Sequence, residues 1–138
     1  RVYIPSNNRS QIIKKNSNKI ILDAYNANPS SMYAAINFFE DLNDKDKDKV
    51  FILGDMFELG KNEIFYHQEI VDYCKGIKSK KIFLVGELFS KTEKFKEFNY
   101  SKNVDELIAK KELSEIKNSN LLIKGSRGIK LEKIIDHL

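Results

Sequence analysis

Three polar stretches carry the residue types that surface chemistry would need. They are Asp23-Ala24-Tyr25-Asn26-Ala27-Asn28, Gly54-Asp55-Met56-Phe57-Glu58-Leu59-Gly60 and Lys124-Gly125-Ser126-Arg127-Gly128. The first runs into Asn28-Pro29, a capping residue followed by a proline at the first helical position. It therefore delivers an acid, a tyrosine and two asparagines to a helix mouth, where unpaired N–H groups and the helix dipole favour anions. Lys124 and Arg127 can hold an anion, with arginine the better bidentate partner for carboxylate or phosphate. A blander alternative stands beside each. The first stretch is also an ordinary strand-to-helix turn, and Gly125 and Gly128 also suit close strand-to-helix packing. Gly54 and Gly86 read as turn glycines and no more. His67 is either a satisfied, half-buried histidine or a base. Arg9, ahead of an edge strand, is ordinarily a solvated arginine.

Several chemistries are excluded. No G-x-x-x-x-G-K-[ST] is present to wrap a triphosphate, and no G-x-G-x-x-G follows the first strand. Two histidines and one cysteine lie too far apart in sequence for a metal site, so no metal ligands are assigned here. Cys74 falls seven residues after His67 on the apolar stripe of one helix, which suits an inert buried thiol better than a nucleophile. The alternating Asn43–Lys49 run has no glycine turn or terminal glutamate and reads as an exposed loop rather than a calcium loop.

The elements that must position these residues follow from periodicity. Residues 1–8 read as an extended lead-in and inter-domain linker, broken by Pro5 and Ser6-Asn7-Asn8. Residues 9–15 and 20–22 form an antiparallel hairpin through a turn at Asn16-Ser17-Asn18. A helix runs from the Asn28 cap through Leu42, with Met32, Ala35, Ile36 and Phe39 at helical spacing. Val50–Leu53, Lys81–Val85 and Leu121–Ile123 are buried strands. A helix is expected over 63–75, further helices over 90–97 and 103–113, a minor strand near 98–100, and a final helix ending at Leu138. Strands alternating with helices imply an α/β class: a three-layer α/β/α, Rossmann-like single domain over residues 1–138, mostly parallel with one antiparallel edge strand. Ligands collect beyond the carboxyl ends of such strands. Asp23, Asn26, Asp55, Glu58, Lys124, Ser126 and Arg127 are accordingly expected to converge there and face outward along one rim.

The 138 residues suit one domain, and 41% hydrophobic with 32% charged residues describe a folded globular chain. The net charge of +4 arises in the second half: residues 70–138 carry 15 bases and 10 acids, against 9 and 10 in residues 1–69. Those lysines are interleaved with acids as a solvated helix face would be, so no nucleic-acid partner is expected. No apolar run approaches the ~20 residues that span a bilayer, and a single cysteine suits a reducing cytoplasm. An initial arginine reads as an excised or processed piece.

Taken together, the three stretches, with His67 seven residues after Gly60 and Asn8-Arg9-Ser10-Gln11 ahead of them, resemble the C-terminal domain of the Mur ligases. Within that family they are most similar to the branch that joins D-alanyl-D-alanine to UDP-N-acetylmuramoyl-tripeptide in peptidoglycan precursor synthesis. The resemblance covers essentially the whole chain. It implies ATP as co-substrate, Mg²⁺, an acyl phosphate on the peptide carboxylate, and attack by the dipeptide amine. It also implies that the phosphate loop and metal ligands lie in a central domain and the UDP site in an N-terminal domain. This chain would then be the closing piece, inactive alone, with its own other domains and the two small-molecule substrates as partners, cytoplasmic and monomeric. The resemblance carries ATP contacts onto Arg9, Asp23, Tyr25, Asn26 and Asn28. It carries substrate contacts onto Asp55, Lys124, Gly125, Ser126 and Arg127. His67 and Glu58 match family positions without an assigned role. Ile129 stands where the family often has methionine. The alternative from another class is a stand-alone, flavodoxin-like module that binds a phosphorylated or anionic partner through Lys124 and Arg127.

Overall fold

The structure, a computed structural model, describes residues 10–42, 44, 46–77 and 80–138. The expected lead-in and linker over 1–8, and Arg9, lie outside the described residues, as do Asn43 and Lys45 of the charged loop. Six strands form one sheet: β1 (Gln11–Lys15), β2 (Asn18–Asp23), β3 (Asp48–Gly54), β4 (Lys80–Val85), β5 (Asn99–Ser101) and β6 (Ser119–Lys124). Their spatial order is β1-β2-β6-β3-β4-β5, with β1 antiparallel to β2 and every other pair parallel. The hairpin turn forms as expected, with Asn16 in the left-handed conformation that asparagine tolerates.

Alternation along the strands divides the core in two. Ile21, Phe51, Leu53, Ile82, Leu84 and Leu122 face one side, covered by α1 (Pro29–Glu40), α2 (Glu63–Lys75) and α3 (Glu87–Ser90). Ile20, Val50, Ile52, Phe83, Leu121 and Ile123 face the other, covered by α4 (Val104–Ile108), α5 (Lys111–Ser114) and the 3-10 helix Leu131–His137. A strand buried on both faces must be apolar at consecutive positions, and Val50-Phe51-Ile52-Leu53 is just that. The forward connections from β2 through β4 cross the first face. The return from β5 to β6 crosses the second, the arrangement that right-handed crossovers require.

β6 is therefore flanked on both sides, by β2 and β3, with strands whose following helices lie on the opposite face from its own continuation. Both of its borders are switch points, where the carboxyl ends splay and leave a crevice. α1 begins as its sequence predicts. The Asn28 side chain accepts the Ser31 N–H at 2.9 Å, and the Asn28 N–H donates to Ser31 Oγ at 3.1 Å, closing a capping box ahead of Pro29.

Three expected helices are corrected. Residues 91–97 are not helical, because side chains outside the segment take two of their N–H groups. Glu93 N–H donates to Gln68 Oε1, Phe95 N–H donates to the Tyr100 hydroxyl, and the Thr92 hydroxyl donates back to the Phe89 carbonyl. The 103–113 helix is two short ones, split at Lys110, whose extended backbone lets its ammonium donate to Asn99 Oδ1 and the Tyr100 carbonyl. The final helix is 3-10, begun by a left-handed Lys130, with Lys133 N–H donating to the Lys130 carbonyl three residues back.

Candidate functional site

The register of β2 against β6 sets Asp23 directly beside Lys124. Lys124 Nζ donates to Asp23 Oδ2 at 2.9 Å and to the Asn26 carbonyl at 3.1 Å, with Lys124 only 2% exposed and Asp23 6%. One ammonium thus ties the end of β2 and the following loop to the end of β6. Beyond this brace the Arg127 guanidinium lies 5.3 Å from the centroid of the Tyr25 ring, a cation–π arrangement. Both residues are exposed, as are Asn26 and Asn28.

On the other border of β6, the loop after β3 is pinned by three consecutive backbone N–H groups. Asp55 N–H donates to the Val85 carbonyl, Met56 N–H to His67 Nε2 and Phe57 N–H to Ser126 Oγ, each at 3.0 Å. Ser126 N–H in turn donates to the Asp55 carbonyl at 3.0 Å. The loop then emerges with Phe57 and Glu58 exposed, Glu58 holding a left-handed backbone at φ 64°.

The Asp55 side chain turns inward. Its carboxylate accepts Leu88 N–H at 2.9 Å and Phe89 N–H at 3.0 Å. These are the second and third residues of α3, whose own cap position is Gly86 and has no side chain to offer. Asp55 caps that helix from the loop that follows β3. A β-carbon on Gly86, at φ +134°, would stand 2.1 Å from the Asp55 carboxyl carbon, so Gly86 is more than a turn glycine. Gly125 does serve close packing: a β-carbon there would meet the Gly54 Cα and Leu131 Cδ1 at 2.8 Å.

His67, fully buried on α2, donates from Nδ1 to the Glu63 carbonyl at 2.6 Å, which leaves Nε2 unprotonated to accept from Met56. Its Nε2 is 3.9 Å from Asp55 Oδ1, and with the lone pair already engaged this is proximity rather than an ion pair. Burial pushes the imidazole below its ordinary value, against the raising influence of the Glu63 carbonyl and of Asp55. Burial likewise pushes the Asp55 carboxyl up, opposed by its two N–H donors and by His67. The Cys74 thiol is buried and pushed up to about 12, the inert thiol its spacing suggested.

The expected rim forms, but its residues divide. Tyr25, Asn26, Asn28, Glu58 and Arg127 are exposed. Asp23, Asp55, Lys124 and Ser126 are buried and engaged within the domain, so the expectation that all face outward is corrected for these four. The physical reason is pairing: each finds its hydrogen-bond partner on the adjacent strand end or loop. A cleft of about 480 Å³ opens at the same end, lined by Asp55, Phe57, Glu87, Lys91, Asn103 and Gly128 among others. Phe57, Gly86 and Asn103 carried no sequence signal as site residues beyond their place just after strands. Among the described residues, no three His, Cys, Asp or Glu side chains gather as metal ligands, and no helix is long and apolar enough to cross a membrane.

The chain resembles solved structures of MurF from Acinetobacter baumannii, one at a TM-score of 0.77 and 26% identity, covering 96% of this chain and 30% of that one. The fold is also that of a MurF ligase from Thermotoga maritima solved in complex with ADP, at a TM-score of 0.75 and 20% identity, covering 94% of this chain and 30% of that one. Among curated proteins it is 38% identical to the UDP-N-acetylmuramoyl-tripeptide–D-alanyl-D-alanine ligase of Rickettsia prowazekii (strain Madrid E), over 94% of this chain and 29% of the relative. It is 39% identical to the Bacillus subtilis (strain 168) protein of the same name, over 94% and 30%. The chain thus spans about three-tenths of the length of these relatives. Residues 8–127 match the family described as Mur ligase, glutamate ligase domain, and with the fold and rim described above, the chain belongs to the Mur ligase family.

Proposed function

We propose that this chain is the closing domain of a cytoplasmic, ATP-dependent ligase that joins D-alanyl-D-alanine to UDP-N-acetylmuramoyl-tripeptide. The observation that carries this is the 38–39% identity, across 94% of the chain, to proteins of that one activity. The geometry supports it. An exposed arginine stacked on an exposed tyrosine, at a crevice between oppositely wound strands, suits an anionic group presented by a neighbouring lobe. In this proposal Tyr25, Asn26 and Asn28 face the nucleotide side, with Asp23 behind them bracing the loop, and Arg9 belongs to the hinge. Arg127 takes the dipeptide carboxylate, positioned by Gly125, Ser126 and Asp55. The sequence holds no phosphate loop and, among the described residues, there is no metal-ligand cluster, so in this proposal phosphoryl transfer and any Mg²⁺ are assigned to the remaining domains. A free-standing anion-binding module is the less favoured reading, because the family match spans nearly all of the chain.

The test is phosphate release by the longer protein with ATP, UDP-N-acetylmuramoyl-tripeptide and D-alanyl-D-alanine. Release should require both co-substrates, and release indifferent to either refutes the assignment. The 138-residue chain alone should bind ATP at about millimolar Kd or weaker, since a few rim contacts replace no phosphate cradle. Micromolar binding by calorimetry would contradict this.

Arg127→Ala in the longer protein should raise KM for D-alanyl-D-alanine by about 10- to 100-fold, the effect of losing one charge-assisted hydrogen-bonding partner. Because Arg127 is exposed, the melting temperature should stay within a few degrees. An unchanged KM would remove Arg127 from the dipeptide site.

A further inference from the structure

Of the two residues whose roles the motifs leave blank, His67 and Glu58, His67 has a geometry that supplies one. Both ring nitrogens are engaged, and what distinguishes the arrangement is the donor: Nε2 takes the N–H of Met56, in the loop after β3, while Nδ1–H is anchored on the Glu63 carbonyl one helical turn back. Met56 lies between the two other pinned N–H groups, those of Asp55 and Phe57. Phe57 in turn is coupled to Ser126 through its N–H, and its ring packs where a β-carbon on Gly128 would come within 2.9 Å. The middle pin therefore fixes residues on both sides of Arg127. Glu58, held at a positive φ immediately beyond, is a conformation that persists only if its flanks are held.

We propose that His67 is a positioning residue for the reaction assigned above: by accepting the Met56 N–H it fixes the 55–60 loop and, through Phe57, the setting of Ser126 and Arg127. The role rests on the ligase reading for its effect on turnover, though not for its effect on the loop. It also makes the loop responsive to protonation. An imidazolium carries a hydrogen on Nε2 and cannot accept from Met56. The groups facing it are Asp55 at 3.9 Å from the β3 loop, the Glu63 carbonyl and carboxylate on its own helix, and the Phe89 ring of α3 at 4.7 Å between centroids. Once protonated, Nε2–H faces Asp55 Oδ1 at 3.9 Å, and that oxygen is already capping α3. Protonation thus disturbs two loops together. Burial holds the protonated form below the ordinary histidine range, so the loop is set at neutral pH and released in acid.

The experiment compares His67→Leu, which removes the acceptor, with His67→Gln, which offers a carbonyl oxygen that cannot be protonated. In the longer ligase, His67→Leu should lower kcat roughly tenfold or more, and His67→Gln should restore most of that loss. Wild type should show an acid fall of kcat below its imidazole titration, and His67→Gln should lack it. Two readouts need no activity. A long-range ¹H–¹⁵N correlation should show the Nδ1–H tautomer, and the Met56 and Phe57 amides should be protected from exchange at neutral pH and lose protection on acidification in wild type but not in His67→Gln. A loop whose protection ignores both pH and the substitutions, or an Nε2–H tautomer, overturns the proposal. So does a folded His67→Leu with unchanged kcat. If the longer protein has no ligase activity, the functional assignment fails while the tautomer and exchange results still decide the role of His67. Should His67→Leu not fold, the wild-type and His67→Gln measurements carry the decision.

Discussion

Replacing Lys124 with alanine is expected to destabilise the chain by about 3–5 kcal/mol, the largest single loss among the rim residues. The cost comes mainly from what is left behind. Asp23, 6% exposed, loses the ammonium that compensates its charge, and the Asn26 carbonyl loses a donor at the same moment. Removing one partner of a buried pair strands the other in a poorly solvated place. Replacing both with apolar groups of similar volume need not. The decisive measurement is therefore a cycle: Lys124→Met, Asp23→Leu and the double variant, each followed by urea unfolding. The double variant should lose less than the two singles added together, by more than about 1 kcal/mol. Simple additivity, or a Lys124→Ala loss under about 1 kcal/mol, would show that the pair is not the brace described.

Gly86→Ala is expected to cost about 3 kcal/mol or more, lowering Tm by roughly 10 °C, although it adds a single methyl group. Two terms combine. A φ of +134° is strained for any residue with a β-carbon, and that carbon would lie 2.1–2.3 Å from the Asp55 carboxylate atoms. The carboxylate must move, and α3 loses the cap it receives at Leu88 and Phe89. The second term is separable. In an Asp55→Ala background the cap is already absent and the space is open, so Gly86→Ala should cost distinctly less there than in wild type. Equal costs in the two backgrounds would assign the effect to backbone strain alone. The expected result makes Gly86 and Asp55 one unit: a glycine that cannot cap, and an acid just past the end of β3 that caps in its place.

Much of this architecture is legible in local pattern. The apolar runs at 20–22, 50–53, 81–85 and 121–123 are strands, and Asn28-Pro29 opens a helix with its capping box. Local pattern fails where distant partners intervene. Nothing within residues 91–97 announces that Gln68 will take the Glu93 N–H and the Tyr100 hydroxyl the Phe95 N–H, and the helix expected there is displaced by those bonds. Lys124 reads as a charged residue leaving a strand, hence exposed; only the register with β2, set across about a hundred residues of sequence, brings Asp23 to meet it. The same holds for His67: its helical stripe announces burial, but the N–H it accepts comes from a loop that turns back toward it. The candidate site was thus legible as a set of positions. Its division into exposed residues and buried braces was not, because that division is decided by tertiary pairing.

β6 is the last of the six strands in sequence, yet it fills the gap between β2 and β3. During synthesis, everything through β5 can emerge while two apolar strands still wait, edge-on, for a neighbour that has not left the ribosome. A frameshift or stop codon ahead of Ser119 would leave those unpaired margins open for good, a template for self-association rather than a smaller working domain.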